Sequence, residues 1–495
     1  VHKRHQNTAS QHSSAQQPIR VSPSQQPLHA RLFTTRNPFK TGIGILITVV
    51  LVFVITFAGA MVVDFNNILH SHSVSMIGET DKDADVNPDP GKAINIAIFG
   101  QDTRNGSQNQ AIAHDTMSDE HESDTIMIAQ ISANRKYINL VSVPRDSVVS
   151  VPSCTADNGA VIPAQNDVMI NSLFETGYNI GGDVASAASC ATQDLEYLTG
   201  IKITQFIVVD FAGLDSIINA IGGVDLCIPE HIQDAYTSLS LPKGWDHLNG
   251  LQATEYSRVR HGIGVGDGSD IMREARQQYL VKMILREIKT KKILTNSSDL
   301  YQLARTTLQW LTISKGLASL STLTGLAYAL RGLNTSNIYA RTTPITTDPT
   351  NNNRVIWAQP YANELWAKIK NDQPIIEQSS STSSTHSQTS GTTTSSSATQ
   401  SSSTTSSTTN SSQSTTTQNS STSSTTSTTT KNLSKGTYNP HTGLVTMPSG
   451  ELIDPKNGGI VNPETGVITD PNTGYQMGIA SEYLNYVVCG ISEEK

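Results

Sequence analysis

Four short stretches of this sequence carry residue types suited to handling a phosphate. They are Asp102-Thr103-Arg104, Ser123-Asp124-Thr125, Pro144-Arg145-Asp146, and the run YSRVRHGIGVGDGSDIMREARQQ from Tyr256 to Gln278. Guanidinium groups repel one another unless an anion lies between them, and arginine grips phosphate oxygens in bidentate fashion. Two aspartates beside such arginines would suit a Mg²⁺ ion bridging the same oxygens. Metal and arginines together would neutralise charge developing on a phosphoryl group in transfer. Each cluster alone has a plainer reading. Asp102 with Arg104 reads as a turn ion pair, Asp124 as a capping residue, Arg145-Asp146 as a salt-bridged loop, and the arginine-rich helix as a solvated face. Their joint occurrence, in this order, is what points to chemistry.

The elements that must position these residues are legible as patterns. INIAIFG (Ile94–Gly100), TIMIAQI (Thr125–Ile131) and YINLVSV (Tyr137–Val143) read as buried strands, the last two joined by a turn at Asn134 and Arg135. Asp102, Arg104 and Arg145 therefore follow strand ends, where α/β folds place ligands. Helical patterns at 183–198, 211–221 and 271–289 alternate with strands at 203–209 and 224–228, which predicts a layered α/β domain. On extended backbone Arg258 and Arg260 point the same way. On a helix Arg273 and Gln277 share a face, which Arg276 partly joins. The glycines from Gly262 to Gly268 let the two halves fold back on each other.

These pieces resemble the LytR–CpsA–Psr family of wall-polymer ligases. The matching stretches are INIAIFGQDTR, SDTIMI, INLVSVPRD, INSLFETGYNIGG, ITQFIVVDFAGL, AIGGVDLCIPE, LNGLQATEYSRVRH and GSDIMREARQQ, spread over most of residues 93–372 in the family's order. The resemblance implies a three-layer αβα fold with a central mixed sheet and a hydrophobic cavity for a polyprenyl chain. It implies Mg²⁺-dependent transfer of a glycopolymer from a polyprenyl-pyrophosphate carrier to peptidoglycan through a phosphodiester. By the same resemblance Asp102 and Asp124 serve the metal, and Arg104, Arg145, Arg258, Arg260, Arg273 and Gln277 grip the pyrophosphate. Asp124 or Arg145 is the candidate for assisting deprotonation of the acceptor. Glu122 departs from the family pattern, which often has a basic or small residue there. Two rival readings are transfer to a protein acceptor and a non-catalytic lipid- or wall-binding regulatory protein. The full set of phosphate-gripping positions argues against the second.

The rest of the 495 residues frames this domain. Residues 43–63 read IGILITVVLVFVITFAGAMVV, uncharged and long enough to cross a bilayer. Lys and Arg precede the run and acidic residues follow it, which predicts a single-pass anchor with the N-terminus cytoplasmic and the catalytic domain outside. The expected divisions are a cytoplasmic leader over 1–41, a transmembrane helix over 42–63 and a stalk over 64–92. A Ser/Thr-rich disordered linker over 373–434 then follows the catalytic domain, and a tail of small hairpins over 435–495 ends the chain. NPHTGLVT, NPETGVIT and DPNTGY are the tail's repeats. Net charge is −8, and no basic recognition helix is evident, so nucleic acid is not an expected partner. The four cysteines lack metal-ligand spacing, and Cys154 with Cys190 is the preferred disulfide.

Overall fold

The computed structural model describes residues 62–77, 86–113, 121–156, 158–266, 268–293, 296–375 and most of 433–480, with isolated positions in 52–60 and 483–489. The expected leader, most of the expected membrane span and nearly all of the Ser/Thr linker lie outside the described residues. Among the described residues no helix is long and apolar enough to cross a membrane. The chain divides into two compact units, Val1–Asp64 and Phe65–Lys495. In the first, Val62 and Val63 are helical with exposed side chains. The second carries the sheets and the candidate site.

Its central sheet has seven strands: β1 (Ser73–Val74), β2 (Ile94–Asp102), β3 (Glu122–Ile131), β4 (Ile138–Val143), β5 (Gln205–Val209), β6 (Leu311–Ser314) and β7 (Ile338–Thr342). Their order is β1-β6-β5-β2-β3-β4-β7. The β2–β5 and β4–β7 pairs are parallel, and the β2–β3 and β3–β4 pairs antiparallel, so the sheet is mixed. Side chains alternate across β2 with period two. Ala97 and Phe99 enter a core with helices α1 (Asn171–Gly181) and α2 (Val184–Thr199), while Ile96 and Ile98 belong to a second core on the other face. Helix α3 (Phe211–Ala220) follows β5, and α4 (Gly250–Arg258) follows a hairpin of Val224–Ile228 with Gly244–Leu248. Helices α5 (Asp270–Thr290), α6 (Ser297–Leu308) and α7 (Leu320–Leu330) contribute to the second core, and α8 (Tyr361–Lys370) to the first. The central sheet is mixed and has helices packed on both faces, in keeping with the layered α/β domain that the strand and helix patterns predict.

Helix α2 buries one unpaired charge. Asp194 is only 7% exposed, and burial raises its pKa to about 7. An acid raised in the folded state favours folding below its unfolded pKa, and that advantage is lost as pH climbs towards the folded value. Asp194→Asn should therefore stabilise the protein by on the order of 2–4 kcal/mol at pH 8 and by almost nothing near pH 4. Urea titrations at the two pH values check this.

The structure corrects two expected boundaries. The described part of 64–92 is not a stalk. Phe65 and Leu69 are buried, Phe65 packs on the Tyr301 ring of α6, and β1 pairs parallel with β6. Arg135, expected only as a turn residue, is 5% exposed and donates to the backbone oxygens of Asn87, Pro88, Asp89 and Lys92. A segment with few apolar residues is thus held by satisfying one buried guanidinium, which hydrophobic periodicity cannot reveal.

The tail is likewise not a set of free hairpins. Strands β8 (Ile345–Asp348) and β9 (Asn351–Trp357) share an eight-stranded sheet with six strands of the tail, which run as an antiparallel meander from Thr437 to Ile479. The last tail strand pairs with β8 at Gln476 and Ile345. Four turns recur along the meander: the glycine N–H of Gly443, Gly458, Gly466 and Gly474 donates to the carbonyl of Asn439, Asp454, Asn462 and Asp470 respectively. Each of these glycines is left-handed, with φ of 69°, 72°, 70° and 75°. The repeat at Asp454-Pro455-Lys456-Asn457-Gly458 is a fourth copy, hidden in the sequence by Asn457 where the other three have threonine. The tail strand Thr437–Asn439 buries no apolar residue and the others only one or two, such as Leu444, Val461 and Ile468, which is too little for an isolated hairpin. Cys154 is bonded to Cys190, and Cys227 to Cys489. The second bond ties the tail's end to the strand Val224–Ile228.

Candidate active site

The site begins at an irregularity between β2 and β3. Gly100 faces Thr125 and Gln101 faces Ser123, so Asp124 is an extra residue on β3 between two registered pairs. Such bulges re-aim a side chain. Gly100 allows the close approach, since a Cβ there would lie 2.8 Å from the Thr125 Cβ. Asp124 and Asp102, the latter at the end of β2, both line one cavity of about 310 Å³.

The opposite wall comes from α4 and α5. Asn249 caps α4 through a reciprocal box with Gln252, a signal carried in LNGLQ. Arg258 is the last residue of α4, and Val259 (φ −56°, ψ 130°) breaks the helix before Arg260. The two arginines are therefore not on one extended segment as expected, yet both line the cavity with Arg273 and Gln277. Arg273 and Gln277 project from one face of α5, which starts at a Ser269 cap. Arg276 does not join them. It donates to the carbonyls of Val259 and Val265 and so fastens the glycine-rich loop to α5.

Charges are dense and partly compensated. Arg145 Nη1 lies 2.6 Å from Asp124 Oδ1, and Arg273 Nη1 lies 3.2 Å from Oδ2. Burial pushes the Asp124 carboxyl up, but Arg273 and Arg145 outweigh it and hold its pKa below the ordinary value. Arg104 is ion-paired with Asp102. Arg104 and Arg145 are not among the residues lining the cavity; they reach it through the carboxylates they hold. Arg258 donates to the Ile112 carbonyl at 2.6 Å and stacks 4.2 Å over the Phe211 ring. Arg260 is the exception. It makes no ion pair with a carboxylate among the described residues, and its Nε, like those of Arg145 and Arg273, is buried without a hydrogen-bond partner. Burial, then repulsion from Arg145 and Arg273, lowers its pKa.

Sequence reasoning missed three contributors. Asp270, in the first turn of α5, lies 2.6 Å from Arg273 Nη2 and 3.5 Å from Arg145 Nε, so it anchors both arginines. Its i,i+3 spacing to Arg273 was a usable signal. Glu274 is 3% exposed behind them, and burial, with Asp270 adding to it, raises its pKa well above the usual range. Tyr236 also lines the cavity, from a loop without periodicity.

Among the described residues no group of three or more His, Cys, Asp or Glu side chains forms a metal cage. Mg²⁺ is commonly held by one or two carboxylates, with waters and substrate phosphates completing its shell. Asp102 and Asp124, facing one arginine-lined cavity, fit that sharing of ligands.

A second cavity, of about 330 Å³, lies between the same face of the sheet and helices α5 to α7. Ile138, Ile207, Leu285, Leu308, Leu326's neighbour Ala327 and Leu330 are among its almost wholly apolar lining. Helix α5 connects the two: Arg273 and Gln277 face the charged cavity, and Leu285 and Ile288 the apolar one. The step from Gln277 to Ile288 is about 17 Å along the helix axis.

The chain is similar to several curated proteins. It is 24% identical over 267 residues to the cell wall biosynthesis protein LcpA of Corynebacterium glutamicum, covering 51% of this chain and 50% of LcpA. It is 24% identical over 222 residues to the polyisoprenyl-teichoic acid–peptidoglycan teichoic acid transferase TagU of Enterococcus faecalis, covering 45% and 62%. The match thus spans about half to three-fifths of each relative's length. Among solved structures, a LytR-Csp2A-Psr enzyme from Actinomyces oris aligns at 20% identity and a TM-score of 0.42, covering 60% of this chain and 94% of that one. The LytR_cpsA_psr family model matches residues 61–373, well over half of the sequence. The chain belongs to the LytR–CpsA–Psr family.

Proposed function

We propose that this protein transfers a glycopolymer from a polyprenyl-pyrophosphate carrier to peptidoglycan, leaving a phosphodiester and releasing the prenyl monophosphate. The observation that carries this reading is Arg260, a half-buried guanidinium with an unpartnered Nε, repelled by two neighbouring arginines. An anion in the cavity would relieve that repulsion, and pyrophosphate matches the spread of Arg258, Arg260, Arg273 and Gln277. The adjoining apolar cavity supplies a place for the prenyl chain. The names of the relatives, which include teichoic acid transferases acting on peptidoglycan, support the same class of reaction.

In this mechanism an acceptor hydroxyl attacks the phosphorus that bears the glycan. The bond to the bridging oxygen breaks, and the prenyl monophosphate leaves with that electron pair. Arg258, Arg260 and Arg273 hold the non-bridging oxygens, where charge accumulates. Asp124 receives the acceptor's proton, and Arg145 fixes its orientation at 2.6 Å. A weak base suffices where the transition state is loose and the proton leaves late. Arg104 holds Asp102 in place. Mg²⁺, held by Asp102 and Asp124, would add further neutralisation of the phosphate oxygens.

We assign the apolar run over 43–63 to a single membrane span, with the N-terminus cytoplasmic and the catalytic unit outside the cell. Two disulfides and the absence of free cysteines among the described residues suit an oxidising exterior. The carrier reading makes a graded prediction. For prenyl pyrophosphates of increasing length, Kd should tighten about tenfold or more per added isoprene until the cavity is full, because each buried CH₂ contributes about 0.8 kcal/mol. Calorimetry on the full chain in detergent reads this directly. Affinity independent of chain length would remove the prenyl carrier from the account.

A further inference from the structure

The charged cavity has an aromatic rim that neither phosphate nor prenyl chain uses. Tyr236 lines the cavity while remaining 77% exposed, and His261, also lining it, lies beside it with ring centroids 5.8 Å apart. A tyrosine ring in water is an expense of apolar surface, and here the backbone around it is fixed. The strands Ile232–Gln233 and Ser240–Leu241 pair antiparallel. Between them, buried Asp234 accepts from the Tyr236 N–H at 2.9 Å and from the Thr237 hydroxyl at 3.3 Å. The glycine-rich loop then docks on this hairpin: Gln233 and Ile263 exchange backbone hydrogen bonds of 3.1 and 2.9 Å. Gly262 and Gly264 permit the contact, because a Cβ on either would sit 2.1 Å from a carbonyl oxygen, of Gln233 or His231. Both rings are thus presented from a braced frame.

We propose that the exposed Tyr236 ring forms a stacking platform for a pyranose ring, namely the first sugar of the pyrophosphate-linked donor, with the His261 ring, tilted 57° to it, flanking one side. This deepens the proposed transfer function and rests on it. The prenyl end of the donor runs along α5 to the apolar cavity, so the other end of the pyrophosphate faces the open mouth, where Tyr236 stands. A sugar's apolar C–H face packs on an aromatic face, while its hydroxyls stay in water, which an exposed ring at a cavity mouth permits.

The test compares two probes on the full chain in detergent: a prenyl pyrophosphate carrying one hexose, and the same prenyl pyrophosphate without sugar. The quantity read is the ratio of their dissociation constants. Tyr236→Ala should reduce the advantage of the sugar-bearing probe by about tenfold, and Tyr236→Trp should retain it. Equal weakening for both probes would overturn the platform in favour of a structural role. An unchanged ratio, with KM for wall fragments raised in transfer assays, would overturn it in favour of an acceptor sugar. Wild-type protein that binds neither probe would overturn the phosphate reading itself, and the platform with it.

Discussion

Arg260→Met should lower transfer by about 10²–10³-fold while leaving the ligand-free protein at least as stable as the wild type. The two effects have one cause. Arg260 sits half-buried beside Arg145 and Arg273 with its Nε unpartnered, so its charge disfavours the empty fold. An arginine side chain stays protonated in proteins, so the penalty is present throughout the accessible pH range. Methionine keeps most of the packing of the stem and removes the charge. The expected rise in Tm is up to about 2–4 °C per kcal/mol relieved. Excess pyrophosphate should stabilise the wild type and lose most of that effect in the variant. Differential scanning calorimetry, with and without pyrophosphate, separates these outcomes. A clear drop in the Tm of the ligand-free variant would mean that Arg260 is a structural residue.

Asp124→Asn should behave in the opposite way, with transfer down by about 10³-fold or more and stability lost as well. Asp124 compensates Arg145 at 2.6 Å and Arg273 at 3.2 Å, and the amide leaves both guanidiniums without a countercharge. Removing one partner of a fully buried pair costs about 3–5 kcal/mol. The Asp124 side chain is 23% exposed, so about 2 kcal/mol is the expected loss. The sign with pH follows from its depressed pKa. The stabilisation is present above the unfolded value of about 3.9 and is lost as pH falls through the lower folded value. The gap between wild type and variant should therefore be constant from pH 5 to 8 and close below pH 4. Urea unfolding across that range checks it.

Much of this arrangement was legible in the sequence because it depends on local rules. Continuous apolar runs marked β2, β3 and β4, and the residues just beyond them carried charge where ligands bind. The i,i+4 spacing put Arg273 and Gln277 on one face of α5. What stayed hidden depends on partners distant in sequence. Arg276 has the same residue type and nearly the same helical spacing as Arg273, but it is spent on the carbonyls of Val259 and Val265. Asp124 reaches the cavity through a one-residue register slip, which no pattern of hydrophobicity encodes. Residues 87–92 looked like part of a stalk because their attachment runs through backbone carbonyls to Arg135. A protein begun at Lys92 would lose the buried Phe65 and Leu69 and strand β1. Expression of the unit that carries the candidate site should therefore start no later than Phe65. The tail's attachment to β8, 131 positions away in sequence, was equally invisible to turn spacing.

The most direct test of the account is product analysis with the full chain in detergent, a polyprenyl-pyrophosphate-linked glycan, peptidoglycan fragments and Mg²⁺. Phosphorus NMR and mass spectrometry would follow both ends of the donor. The account predicts a new glycan–peptidoglycan phosphodiester and prenyl monophosphate in equal amounts, both abolished by chelator and by Asp124→Asn. Prenyl pyrophosphate released intact, with the glycan joined through a glycosidic bond and no phosphodiester, would contradict it.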